Sequence, residues 1–169
     1  MFKELETVPL FKDVDDSILH LLAPLFESFS CLADSVIFEQ GETAHYLYLI
    51  LSGSVEMLYK PYDGPEITIT YLAQGSIIGW SAVIGNATYT SRAVCKTDIQ
   101  AIRMTSRDLH KLCEQEPEAG RIILNLLADS VSLRWTEARE QIQTLLNSSI
   151  SAKREESGRN RKRLLRKEN

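Results

Sequence analysis

Apolar and polar positions along this chain change their period twice. Over about the first 30 residues the apolar positions fall at helical spacing. Ile18, Leu19, Leu21 and Leu22 follow Asp15 and Asp16, either of which can cap a helix, and Pro24 marks a break or a second start. From Ser35 to Met104 the pattern shifts to short apolar runs punctuated by glycine. These are Val36–Phe38, Tyr46–Leu51 closed by Ser52-Gly53, and Ser54–Tyr59. A tight turn at Pro61-Tyr62-Asp63-Gly64-Pro65 then leads into Glu66–Leu72, where Ile67, Ile69 and Tyr71 alternate. Gly75 and Gly79 bracket Ser76-Ile77-Ile78, and strand character returns at Arg92–Cys95 and at Ile99–Met104. Strands this short and evenly spaced predict a roll or barrel rather than a βαβ sheet.

Helical spacing resumes after Met104. Thr105 with Asp108 three positions on fits a capping box leading into Leu109 and Leu112, and Pro117 sits where a final helix would start. Leu124, Leu127, Val131, Trp135, Ala138, Ile142 and Leu145 then follow one another at intervals of three or four. A stripe of that length predicts a partner helix, most simply its own copy across a two-fold axis, and so a homodimer. The alternative is a long helix folded back on its own roll. Gly120 weakens this helix only locally.

The expected organisation is therefore N-terminal helices over 1–34, a β-roll over 35–104, C-terminal helices over 105–152 and a tail over 153–169. The fold class is mainly β with flanking helices: a double-stranded β-helix, or jelly-roll and cupin-like β-roll, with a long C-terminal dimerisation helix.

Composition narrows the class. The 169 residues are 44% hydrophobic and 25% charged, which is ordinary globular composition and suits one domain. The net charge of −4 hides an asymmetry: 153–169 carries eight basic and three acidic side chains, net +5, and the rest is net −9. An acidic body with a short basic tail does not read as a nucleic-acid face, and the tail is expected to be disordered and solvated. Cys31, Cys95 and Cys113 are odd in number and without a CxxC, so neither a disulfide framework nor an iron–sulfur cluster is expected. The N-terminus lacks a signal-peptide pattern, and no apolar run approaches the ~20 residues of a membrane span. The expectation is a cytoplasmic protein that does not engage a membrane.

Two motifs carry a resemblance. Val36-Ile37-Phe38-Glu39-Gln40-Gly41-Glu42 and Tyr48-Leu49-Ile50-Leu51-Ser52-Gly53-Ser54-Val55, with Pro9-Leu10-Phe11 before them, resemble the cyclic nucleotide-binding domain family. This is the sensor module of catabolite-activator and Fnr-type regulators, cyclic-nucleotide kinases and gated channels. The resemblance covers about residues 8–146 and implies a β-roll with a phosphate-binding cassette, here at 79–98.

Members that bind cAMP or cGMP typically read Gly-Glu at the start of that cassette and Arg-Ser/Thr-Ala near its end. This chain reads Gly79-Trp80-Ser81-Ala82 at the start and Tyr89-Thr90-Ser91 at the end. The ribose carboxylate is thus replaced by Trp80 and the phosphate guanidinium by Tyr89. Gly79, Thr90 and Ser91 remain as small residues able to offer N–H groups or hydroxyls. Losing those charged contacts removes about 3–6 kcal/mol, enough to take micromolar binding to about millimolar. Arg92 is the nearest replacement cation, but it stands three positions late, an offset that points it to the other strand face unless a bulge intervenes. Trp80 either fills the vacated ribose pocket or forms one wall of a pocket for a flatter, more apolar ligand. The resemblance also implies that the long helix lends residues to the base side of the pocket, near Arg134 and Trp135.

After the long helix, family regulators carry a helix-turn-helix domain. The residues beyond Ala152 are too few for one, so sequence-specific DNA binding by this chain alone is not expected. His20, His45 and His110 are scattered, which speaks against haem ligation, and no catalytic motif or metal-ligand spacing occurs. The expected function is a non-enzymatic, homodimeric ligand-sensing or regulatory domain that does not bind cAMP or cGMP in the usual way. The alternatives are a functional cAMP- or cGMP-binding regulator, a ligand-free scaffolding dimer, and a binder of nucleic acid or another anionic partner through the basic tail. No cofactor is assigned, and a cyclic nucleotide or another small metabolite stays open as ligand.

Overall fold

The structure is a computed structural model that describes residues 5, 6 and 8–130. Among the described residues, eight strands form two antiparallel sheets. The first holds β1 (Glu27–Cys31), β3 (Tyr46–Ser52), β6 (Ile77–Ile78) and β8 (Ile99–Thr105), in the order β1-β8-β3-β6. The second holds β2 (Val36–Phe38), β4 (Ser54–Tyr59), β5 (Ile67–Ala73) and β7 (Arg92–Cys95), in the order β2-β7-β4-β5. That interleaving is a jelly roll, as the strand spacing predicts.

The unbroken apolar run of β3 follows from its position between two cores. Tyr48 and Ile50 face the interior of the roll, where they join Phe38, Val55, Met57, Tyr89, Ala93 and Cys95. Leu47 and Leu49 point to the opposite face of the sheet and join Ile102, Met104 and the helical residues Phe11, Leu19, Leu22, Leu109 and Leu112. A strand buried on both faces needs apolar side chains at both parities.

The helices begin where the caps predict. Asp15 accepts the Ser17 N–H at 2.9 Å and starts α1 (Asp16–Leu22), and Pro24 lies in a 3₁₀ turn, Ala23–Leu25. Thr105 Oγ1 accepts the Asp108 N–H at 3.0 Å and donates to the Asp108 carboxylate at 2.7 Å, opening α2 (Ser106–Gln115). Residues 117–130 are helical. Gly120 does more than weaken this helix. A Cβ there would lie 2.7 Å from Cys113 Cα and 2.9 Å from its Sγ, so the glycine permits close approach to α2.

Two expectations are corrected. The helical reading of 1–34 fails at its end, where Glu27–Cys31 forms β1 and pairs with β8 from Glu27↔Arg103 to Cys31↔Ile99. Backbone pairing along the free edge of β8 fixes this strand, although its side chains carry little apolar signal. Leu127, assigned to the dimer seam, is only 3% exposed and packs with Ala119 and Ile123 in the core beneath the first sheet. Residues four apart share one face of a helix, and here that face is turned inward. Leu124, on the flank, is 40% exposed. Val131, Arg134, Trp135, Ala138, Ile142, Leu145 and the basic tail lie outside the described residues.

Candidate functional site

The cassette-like segment leaves β6 at Gly79, whose φ of +83° lies in the left-handed region. A side chain at this position would be strained, and its Cβ would be driven into the Tyr46 carbonyl. One 3₁₀ turn, Trp80–Ala82, follows, and its Ser81 carbonyl accepts the Asn86 N–H at 3.1 Å. From there the chain runs back along the segment after β2. Ala44 N–H donates to the Ala87 carbonyl, Thr43 bridges Thr88, Tyr89 N–H donates to the Glu42 carbonyl and Gly41 N–H donates to that of Tyr89.

This tether turns the Tyr89 side chain inward. Its ring stacks on Phe38 at 3.9 Å between centroids and 17° between planes, and the residue is 3% exposed. Its hydroxyl accepts the Tyr46 N–H at 3.0 Å and donates to the Tyr46 carbonyl at 2.9 Å. The strand pattern explains why that backbone is free. Tyr48 pairs with Ile78 on β6, so Tyr46 would meet the residue at position 80 next, but the chain has turned away at Gly79. The phenol takes the place of the missing strand. Burial raises the pKa of Tyr89 and, more strongly, that of Tyr48, so both stay neutral. Phe38–Tyr48 at 6.0 Å and Phe29–Tyr48 at 5.1 Å continue the aromatic packing across the roll.

The other candidate residues do not converge on one point. Trp80 is half-buried and packs against the cluster shared with the helices, on the far face of the first sheet from the roll interior. It therefore does not fill the roll. Ser81 and Ala82 are buried, Thr90 is exposed and Ser91 is half-buried. Arg92 stands on the outer face of β7, opposite in parity to the buried Ala93 and Cys95. Its Nε lies 3.1 Å from a Glu39 carboxylate oxygen without hydrogen-bond alignment, and its Nη1 lies 3.4 Å from Glu66. As the offset predicts, it is turned away from Tyr89, and it sits between two carboxylates, which leaves little room for an anionic ligand.

A cation absent from the cassette motif does share the inner parity of β8. Arg103 follows Ile99 and Ala101 at intervals of two. Its guanidinium lies 4.1 Å from the Tyr46 ring centroid and 5.1 Å from that of Phe29, and its Nε lies 2.7 Å from Glu27. Burial opposes its charge, but the hydrogen bond and charge of Glu27 outweigh that and raise its pKa. Strand parity alone could have flagged it. Two surface clefts occur among the described residues, and Tyr46 lines the first. One, of about 490 Å³, is lined by His45, Tyr46, Thr105, Arg107 and Lys111 among others; the other, of about 310 Å³, lies beside Arg92 and Glu39. Among the described residues no group of three or more His, Cys, Asp or Glu could hold a metal ion, and no helix is long and apolar enough to cross a membrane.

Comparison with known proteins agrees with this fold. The cAMP-activated global transcriptional regulator CRP of Salmonella typhimurium is 30% identical over 112 residues, 66% of this chain and 51% of the regulator. The chain thus spans about half the length of the curated relatives it matches. A putative cyclic nucleotide-binding protein from Geobacter metallireducens superposes with a TM-score of 0.69 at 27% identity, covering 79% of this chain and 96% of that one. A cyclic nucleotide-binding domain from Methylobacillus flagellatus gives 0.73 at 21% identity, covering 83% and 79%. The profile of the cyclic nucleotide-binding domain matches residues 29–116, just over half of the sequence, and the chain belongs to that family.

Proposed function

We propose that this chain is a non-enzymatic regulatory module, homodimeric through its C-terminal helix, that does not take up cAMP or cGMP by pairing their phosphate with a guanidinium. One observation carries this reading. Tyr89, which the resemblance sets in the place of the family's phosphate cation, is stacked on Phe38 and hydrogen-bonded twice to Tyr46. A neutral phenol committed to the fold offers an incoming phosphate neither charge nor a free donor. The bulged position of Arg92 that would restore the cation is not adopted. The regulatory class follows the CRP-like relatives, and a cytoplasmic location goes with it. The seam is assigned to Val131, Trp135, Ala138, Ile142 and Leu145, with Leu124 at its near end. Domain bounds follow the same reading, with β1 added to the roll.

Calorimetric titration of ligand-stripped protein with cAMP and with cGMP tests it. The expected result is no saturable heat below about 1 mM, the range that follows from losing the charged contacts. Saturation at micromolar nucleotide would overturn it. Sedimentation at micromolar protein should give a dimer that Ile142→Asp dissociates. The aromatic filling of the roll favours a second reading, a scaffolding dimer without ligand. A screen of small metabolites by thermal shift separates the two, because any ligand of the native state raises Tm.

A further inference from the structure

The three cysteines are free thiols, and two of them share one cluster of the core. Cys31 ends β1 in the first sheet and Cys95 ends β7 in the second. Both side chains belong to one packed cluster of the roll, and the Cys31 thiol is among the groups that act on Cys95. Cys95 is fully buried in the roll interior, and the half-buried Cys31 packs against the same cluster from its rim. Main-chain bonds hold the two segments together, for the Asp34 N–H donates to the Cys95 carbonyl at 2.7 Å and the Cys95 N–H donates to that of Ser35 at 2.9 Å. Cys113 is elsewhere, on α2 against Gly120.

We propose that Cys31 and Cys95 are a peroxide-sensitive thiol pair that closes to a disulfide joining the two sheets of the roll. The chemistry divides the roles by exposure. Cys31, reachable from solvent, attacks hydrogen peroxide as its thiolate. The O–O bond breaks, Cys31 becomes a sulfenic acid and hydroxide leaves to take up a proton as water. Cys95 then attacks the Cys31 sulfur. The S–O bond breaks, and the departing hydroxide takes the Cys95 proton and leaves as a second water. Two thiols and one peroxide thus give one disulfide and two waters. Burial, and then the adjacent Cys31 thiol, push the Cys95 thiol up to about 12, which suits the resolving partner and not the first nucleophile. The disulfide would fix the strand that leaves the cassette, β7, directly to β1.

The test uses the full chain, reduced, desalted and exposed to about one equivalent of hydrogen peroxide. The intact mass should fall by about 2 Da as two thiol hydrogens are lost. Non-reducing tryptic mapping should join the peptide 93–96, which holds Cys95, to the peptide 13–92, which holds Cys31. Tm should rise by about 5 °C or more and return on reduction. Cys113→Ser should leave all of this unchanged, and Cys31→Ser should abolish it while the protein stays folded. Sulfinic acid at Cys31 with Cys95 still alkylatable in the unfolded chain would overturn the proposal, as would a bridge that involves Cys113 or a second chain.

Discussion

Tyr89 carries two hydrogen bonds on one oxygen, both to the backbone of Tyr46, and a stacked ring on Phe38. Tyr89→Phe keeps the stacking and removes the hydroxyl, leaving an N–H and a carbonyl without that partner. The expected loss is about 1–3 kcal/mol, read from the urea midpoint at unchanged m-value. Tyr89→Ala removes the ring as well, and the loss should reach about 3–5 kcal/mol. The resemblance implies a phenol in the place of the family's guanidinium, but the sequence does not say where the phenol goes. Its direction depends on a strand ending early at Gly79, a tertiary fact with no local signature. Arg92 was legible to the extent that parity predicts its outer face. The shared cluster of Cys31 and Cys95 was not legible, because residues far apart in sequence come together only through the jelly-roll crossover.

At the scale of elements, glycines punctuate the strands and made seven of them visible. β1 escaped because Glu27-Ser28-Phe29-Ser30-Cys31 offers only Phe29 and Cys31 to the interior, too few for an alternating pattern. The C-terminal helix shows the converse limit. Its apolar spacing was plain, but one stripe cannot tell an inner face from a seam, and Leu127 proved to be core. Gly120 lets that helix lie close against Cys113 of α2. Gly120→Ala forces its Cβ against Cys113, and although alanine favours the helix by about 1 kcal/mol, overpacking costs about 1–3 kcal/mol. The expected outcome is a net lower Tm by differential scanning calorimetry. A gain in Tm would mean that α2 yields freely.

For the molecule as a whole, the two buried tyrosines set a limit on the alkaline side. Tyr48 and Tyr89 have folded pKa values raised, first by burial, above the unfolded value near 10. A raised value means that the folded state holds its proton longer. Their contribution is therefore complete below about pH 10 and is lost as pH rises from there toward the folded values. Stability should be flat in this respect through neutral pH and fall above about pH 10. Tyrosinate absorbance followed beside circular dichroism checks it: part of the absorbance should rise only with loss of structure. Tyr89→Phe should remove part of that alkaline slope.

The phenol that replaces a strand has a kinetic counterpart. The Tyr46 amide is held by a side chain borne on the cassette and not by a neighbouring backbone, so it reaches solvent whenever the cassette swings out, even while the β3–β8 ladder stays intact. Hydrogen exchange at this one amide is thus a clock for cassette opening, set apart from global unfolding. In the native protein it should tick more slowly than an exposed amide and faster than the amides of β3 that the ladder protects. In Tyr89→Phe it should speed up by more than those amides, which gain only what the global loss of stability gives them, a difference that amide-resolved NMR reads directly.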